Sequence, residues 1–314
     1  MQVPKHTLAN GVEIPMIGFG TWKLKGQQCT DLVRYAIETG YRSIDTAAAY
    51  ENEEFVGQGI KDSGLKREEL FVTTKLRNRY HGYDTTLYGF EESMKKLGLE
   101  YVDLYLIHWP GEDMYLPSWK AFIRLYEEKR IRAIGVSNFY PQHMDVLYQE
   151  TGVMPVVDQI ETHPYLHQNV VIDYCRKHNI FVEAWSPLMV GGEAMRDPVI
   201  VEIADQHGKS PAQTILRWHT QNGFAVIPKS ANEGRIKENL NIFDFTLTDA
   251  EMAAMNTLTK KNIRFYEEEG LITPSREPGN GYRSHSPAGE FFLVFYNPPP
   301  FFGEAAPATP RAFS

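Results

Sequence analysis

The chain has 314 residues, 42% of them hydrophobic and 23% charged, with a formal net charge of -8. That is material for a large core in one or two domains, and the acidic balance argues against a nucleic-acid surface or general attachment to anionic membrane while leaving room for a local basic pocket. No apolar run reaches the ~20 residues of a membrane-spanning helix, MQVPKHTLANGVEIP has no secretory pattern, and Cys29 and Cys175 make neither a disulfide framework nor a Cys-x-x-Cys motif, so a protein of the reducing cytoplasm is expected.

In chain order, HTLANGVEI places two short apolar runs around Asn10-Gly11, the signature of a two-residue type I′ hairpin. Strand-like runs then alternate with segments of helical period. MIGFG (16–20) precedes a helix near 28–39, RSIDTA (42–47) one near 52–63, LFVTTK (70–75) one near 84–97, and VDLYLIH (102–108) one near 118–129. IRAIGVS (131–137) precedes a helix near 141–150, PVVDQIE (155–161) one near 169–178, IFVEAWS (180–186) two near 198–207 and 211–221, and FAVIPKS (224–230) one near 233–240. Strict alternation implies parallel strands with helical crossovers. Eight such units fit a closed (β/α)8 TIM barrel in the α/β class, with the hairpin plugging its lower mouth.

The runner-up is a doubly wound open sheet, but its nucleotide-binding form carries a Gly-rich turn after an early strand, and Gly18-Phe19-Gly20 is no G-x-G-x-x-G. Residues 1–260 are expected to form the barrel. Residues 261–314 form a C-terminal extension rich in Pro, Gly and aromatics and without period. It reads as a lid whose FFLVFY covers the substrate, an interface segment or a disordered tail; partial docking is favoured, because disorder usually goes with fewer aromatics.

Barrel active sites gather at the carboxyl ends of the strands. Asp45, Lys75 and His108 fall at the ends of the second, third and fourth strands, and Tyr50 lies in the loop after the second. Any one of them alone reads as a structural ion pair or a packing histidine; convergence of all four makes a proton-transfer site. A phenol titrates near ~10, too high for an efficient acid at neutral pH. An ammonium about 4 Å away at an effective dielectric of ~20 stabilises the phenolate by roughly 4 kcal/mol, so Lys75 is expected to draw Tyr50 towards neutrality, with Asp45 keeping the buried lysine charged. His108, neutral, would donate to an oxygen on which charge develops. His163 reads as a hydrogen-bonded structural residue, and without a zinc-type spacing among the histidines no metal is expected.

GFGTW, DTAAAYENE, TTKL, LIHWP, GVSNF, DQIETHP, AWSPL and IPKSANEGRIKEN occur in one order over roughly residues 5–260. In that ordered set the chain resembles the aldo-keto reductase family, closest in pattern to its 2,5-diketogluconate reductase and prostaglandin F synthase-like branch. The resemblance implies NADPH-dependent reduction of aldehydes or ketones to alcohols, with Tyr50 as general acid, Lys75 and Asp45 tuning it and His108 orienting the carbonyl. It implies that Ser137, Asn138 and Gln159 bind the nicotinamide carboxamide, that Trp185 stacks on the ring, and that Thr21, Ser186 and Leu188 lie along the cofactor. Lys229, Ser230 and Arg235 would hold the 2′-phosphate at a helix start, favouring NADPH over NADH, with Glu238 and Asn239 near the adenine.

Trp22, Ala49 and Trp109 would line an apolar substrate mouth together with Tyr50 and His108. The loops GEDMYLPSW and MVGGEAMRD are short and suggest an open pocket. Family members reduce diketogluconate, methylglyoxal, quinones and prostaglandin endoperoxides. The expected partner is a small-molecule carbonyl compound, with no nucleic acid and no membrane; the oligomeric state is left open, with a monomer favoured. A reductase-fold protein whose task is binding would show a damaged tetrad or cofactor site, and neither is seen. An isomerase or aldolase barrel would need a Schiff-base lysine in apolar surroundings, and Asp45 would keep Lys75 charged.

Overall fold

The structure, a computed structural model, describes residues 3–111, 114–258, 275–276 and 283–284. The chain divides into two compact units, residues 1–258 and 259–314. The FFLVFY segment lies outside the described residues, as do Glu112 and Asp113 of the loop expected to shape the substrate pocket.

The chain opens with an antiparallel hairpin of β1 (Lys5–Thr7) and β2 (Glu13–Pro15), pairing His6 with Ile14. Its turn differs from the expected two-residue type I′. Leu8 N bonds Val12 O and Gly11 N bonds Leu8 O, both at 2.8 Å, which leaves three residues in the loop. Only Gly11 among them has positive φ, at 84°, the pattern of a type I turn closed by a left-handed glycine. Asn10 instead reaches across to Arg132 O at 2.9 Å, anchoring the hairpin to the barrel.

Eight parallel strands follow, adjacent in chain order: β3 (Phe19–Gly20), β4 (Ser43–Asp45), β5 (Phe71–Leu76), β6 (Val102–Ile107), β7 (Ile131–Ser137), β8 (Val157–Glu161), β9 (Phe181–Trp185) and β10 (Ala225–Val226). The first and last strands meet through a parallel bridge between Ile17 and Val226, with Gly18 N on Val226 O at 2.8 Å and Gly20 N on Pro228 O at 3.1 Å. A Cβ on Gly20 would lie 2.7 Å from Ile227 O, so glycine is required where the barrel closes. This is the (β/α)8 barrel, and β3 and β10 are shorter than their apolar runs suggest because closure spans only a few residues.

The helices are α1 (Gly26–Thr39), α2 (Glu53–Asp62), α3 (Tyr83–Leu97), α4 (Tyr115–Glu127), α5 (Pro141–Thr151), α6 (Asn169–Lys177), α7 (Pro198–His207), α8 (Pro211–Gln221), α9 (Glu233–Leu240) and α10 (Asp249–Asn256). Their starts are written locally. Asp197 caps α7 at Val199 N, with Pro198 in the first position, and Ser210 forms a capping box with Gln213 at α8. Thr248 and Glu251 do the same for α10, which was not anticipated. In the second unit β11 (Ser275–Arg276) pairs antiparallel with β12 (Arg283–Ser284).

Leu8 and Ile14 of the hairpin join Phe71, Leu104, Leu106, Ala133, Val157, Phe181 and Ala225 in one buried cluster. These strand residues alternate with the outward-facing ones, so they fill the barrel interior from below, and the hairpin is the plug. A larger cluster between strands and helices forms the outer core. No helix among the described residues is long and apolar enough to cross a membrane.

Candidate active site

Above the apolar floor the barrel interior turns polar. Asp45 ends β4, Lys75 lies near the end of β5 and His108 follows β6 directly. Tyr50 closes a short helical turn, Ala48–Tyr50, in the loop after β4. Lys75 Nζ lies 2.6 Å from Asp45 Oδ1, 2.9 Å from Thr46 O and 3.3 Å from Tyr50 Oη. The Tyr50 and His108 rings meet edge to face at 5.7 Å. All four expected residues therefore converge, and Asp45 and Lys75 are buried, at 2% and 0% exposure.

The charges follow from these contacts. Burial alone would strip Lys75 of its proton, but Asp45 and then Tyr50 outweigh it and hold the lysine above its ordinary value. Burial pushes the Tyr50 hydroxyl up and Lys75 pulls it down, and burial prevails. The phenol thus sits above its usual value, where the sequence suggested a shift towards neutrality: removing the phenolate from water costs more than the ammonium returns. The result is a protonated tyrosine beside a cation ready to stabilise its anion. Burial, then Lys75, pushes His108 down to about 3, so its ring is neutral at neutral pH.

Buried Asn52, passed over in the sequence, holds the surrounding loops. Its amide nitrogen donates to Thr21 O at 2.9 Å and Leu24 O at 3.0 Å, and its oxygen accepts from Thr46 Oγ1 at 2.8 Å. Thr21 is fully buried and donates Oγ1 to Asp45 O at 2.9 Å. Glu183 on β9 is a second omission: Gln159 Nε2 bonds both Asp45 Oδ2, at 2.9 Å, and Glu183 Oε2, at 2.7 Å. A carboxylate inside an otherwise apolar strand was the available signal.

Apart from Thr21, which follows β3, the expected cofactor residues lie at the ends of β7 to β9 and from the end of β10 into α9. Ser137 Oγ donates to Gln159 O at 2.8 Å, and Asn138, at φ 62°, donates to His108 O at 3.1 Å. Trp185 Nε1 donates to Asn138 Oδ1 at 2.9 Å, which fixes the half-buried indole. Ser186 follows with φ 50°, and Leu188 is partly buried against both outer clusters. After β10, Arg235 Nε bonds Ser230 Oγ at 3.3 Å, and Asn232 caps α9 at Arg235 N. Glu238 is half-buried and Asn239 buried on the same helix.

Burial, then Lys23 and Arg235, pulls Lys229 below its ordinary value. Lys23 is a third omission, at φ 64° just after β3. Among the described residues none of these three cations pairs with a carboxylate. Mutually repelling cations beside a capped helix start fit a phosphate. At the mouth Trp22 and Trp109 are 45% and 41% exposed, and Ala49 is half-buried next to Tyr50.

The sequence profile described as the aldo/keto reductase family matches residues 16–260. The chain belongs to the aldo/keto reductase family. A short match to the MerR regulatory profile, residues 250–284, straddles the two units and covers too little of the chain to show membership. The reductase is 51% identical over 257 residues to the 9,11-endoperoxide prostaglandin H2 reductase of Trypanosoma cruzi (strain CL Brener), covering 81% of this chain and 91% of that one. It is also 51% identical over 254 residues to the glyoxal reductase of Bacillus subtilis (strain 168), covering 81% and 92%. The crystal structure of a Gox0644 mutant in complex with NADPH aligns with TM-score 0.79 at 42% identity, over 82% of this chain and 94% of that one. This reductase is an NADP-dependent oxidoreductase acting on carbonyl groups.

Proposed function

We propose that the reductase converts small reactive aldehydes and dicarbonyl compounds to alcohols, with Tyr50 as the general acid. The observation that carries this reading is Lys75 Nζ, bonded at once to Asp45 at 2.6 Å and to the Tyr50 hydroxyl at 3.3 Å. When bound, NADPH supplies the hydride. Tyr50 gives its proton to the carbonyl oxygen, and Lys75, kept charged by Asp45, stabilises the phenolate left behind. Neutral His108 donates a hydrogen bond to the same oxygen and fixes the carbonyl.

Ser137, Asn138 and Gln159 orient the nicotinamide carboxamide, and Trp185, braced by Asn138, presents a flat face to the ring. Thr21, Ser186 and Leu188 flank the cofactor. Lys229, Ser230 and Arg235, joined by Lys23, take the 2′-phosphate, while Glu238 and Asn239 lie near the adenine. All of these lie within residues 1–260, the working domain in this reading. The substrate class rests on the exposed Trp22 and Trp109, which follow Thr21 and His108 in the chain, and on the likeness to a glyoxal reductase. A monomer in a reducing cytoplasm suits the free buried thiols of Cys29 and Cys175.

The test is NADPH consumption by purified protein with methylglyoxal, an aromatic aldehyde and a quinone, beside Tyr50→Phe. Turnover is expected in the wild type and should fall roughly 10²- to 10⁴-fold in the variant, with NADPH affinity nearly intact. Equal turnover in both proteins would remove Tyr50 from its role. NADPH binding with no turnover of any carbonyl would leave a cofactor-binding protein in place of an enzyme.

A further inference from the structure

Glu183 is a charged residue in the middle of a barrel strand, 1% exposed. On its neighbours in register stand Gln159 of β8 and Ala225 of β10. Its own strand face holds Phe181 below, in the apolar floor, and Trp185 above. The ionisable groups acting on it are Asp45 from β4 and Lys75 from β5. Its hydrogen bond is to Gln159 Nε2 at 2.7 Å, and the other proton of that same nitrogen goes to Asp45 Oδ2 at 2.9 Å.

An ionised carboxylate accepts hydrogen bonds and donates none, whereas a primary amide has two donors on nitrogen and an accepting oxygen. Two carboxylates on one amide therefore permit only one of its two flips, with nitrogen towards both acids. In that flip Gln159 Oε1 accepts no hydrogen bond among the described residues, and it is not among the sealed unpaired atoms.

We propose that Glu183 is a positioning residue that, with Asp45, locks the Gln159 amide so that its oxygen faces the cofactor as the acceptor for the carboxamide N–H of nicotinamide. This rests on the cofactor reading above and adds a residue to it. Glu183 touches neither substrate nor cofactor; it acts through Gln159.

The lock depends on pH. Burial, then Asp45, pushes the Glu183 carboxyl up to about 7. Once protonated it can donate to Gln159 Oε1 in the other flip, which leaves Asp45 alone to hold the amide and loosens the lock. The carboxamide contact therefore weakens as pH falls through about 7.

The experiment titrates the full-length protein, by fluorescence, with three ligands: NADP+, its 3-acetylpyridine analogue, which has a methyl in place of the carboxamide NH2, and adenosine 2′,5′-bisphosphate. At pH 8 the wild type should prefer NADP+ over the analogue by about tenfold, the scale of one well-made hydrogen bond. In Glu183→Leu that preference should collapse to about twofold, while adenosine 2′,5′-bisphosphate binds as before and so reports a folded protein. Glu183→Gln, whose amide oxygen still accepts from Gln159, should keep the preference and lose its decline below pH 7. A Glu183→Leu protein that retains the full preference overturns the proposal. So does a wild type that binds NADP+ and the analogue equally. Failure of the wild type to bind adenosine 2′,5′-bisphosphate overturns the cofactor reading itself, and this inference with it.

Discussion

Asp45 and Asp103 are both buried in barrel strands and both paired with cations, one at the upper end of the barrel and one at the lower. Below, Asp103 Oδ1 accepts from Arg132 at 2.6 Å, and Oδ2 accepts from Arg67 at 2.6 Å and Val72 N at 2.9 Å. Above, Asp45 Oδ1 meets Lys75 at 2.6 Å, and Lys75 passes a third contact on to Tyr50 at 3.3 Å. Arginine stays charged and spends its donors in a fixed fork, whereas lysine is a point charge whose proton depends on its neighbours. The lower group joins the ends of strands and stops there. The upper one carries the contact on to a hydroxyl, that of Tyr50, the proton donor of the proposed reaction.

Lys75→Met should separate the two ends most strongly. It removes the cation beside Tyr50 and leaves buried Asp45 unpaired, so turnover should fall by roughly 10² or more and stability by about 3–5 kcal/mol, read by NADPH oxidation and urea unfolding. Glu183, between the charged layer and the apolar floor, gives the next effect. Its folded value of about 7 exceeds its ordinary 4.5, so the folded protein binds the extra proton and stability falls as pH rises from about 4.5 through 7, by at most about 3 kcal/mol. Glu183→Gln should flatten that window in unfolding curves taken from pH 5 to 8.

Arg235→Ala acts at the rim. It should weaken NADPH about tenfold to a hundredfold and hardly change NADH, because only NADPH carries the 2′-phosphate; equal losses for both cofactors would refute the phosphate assignment. Smallest is Arg132→Met at the lower end. Arg132 is 47% exposed and Asp103 keeps Arg67 and Val72 N, so stability should drop by about 1 kcal/mol with turnover unchanged. A loss of turnover there would erase the distinction between the two ends.

The strands and the tetrad were legible because a barrel projects short-range alternation directly onto its fold. Each of Asp45, Lys75 and His108 sits where an apolar run stops, and that position alone places it at the mouth. The balance of charge was not legible: the Tyr50 shift depends on how much water the assembled site excludes, which no local pattern reports. The same holds for Glu183, whose meaning comes from Asp45 and Gln159, residues 138 and 24 positions away. The hairpin turn was misread because Asn10-Gly11 fits two turn types, and the tertiary bond from Asn10 to Arg132 accompanies the longer loop. Lys23 gave no motif, and only barrel closure brings it near Lys229.

That closure has a bearing on how the molecule breathes. The bond from Gly18 to Val226 joins parts of the chain separated by nearly the whole barrel, so its closure entropy is large and local opening is expected along this seam. Lys23 stands on one side of the join, Lys229 and Arg235 on the other. In the proposed phosphate site an anion held among them would act as a latch, tying the first barrel strand to the last. The amide protons of Gly18 and Gly20 should therefore exchange with solvent sooner than those in the middle of β6, and should be the ones that NADP+ slows most.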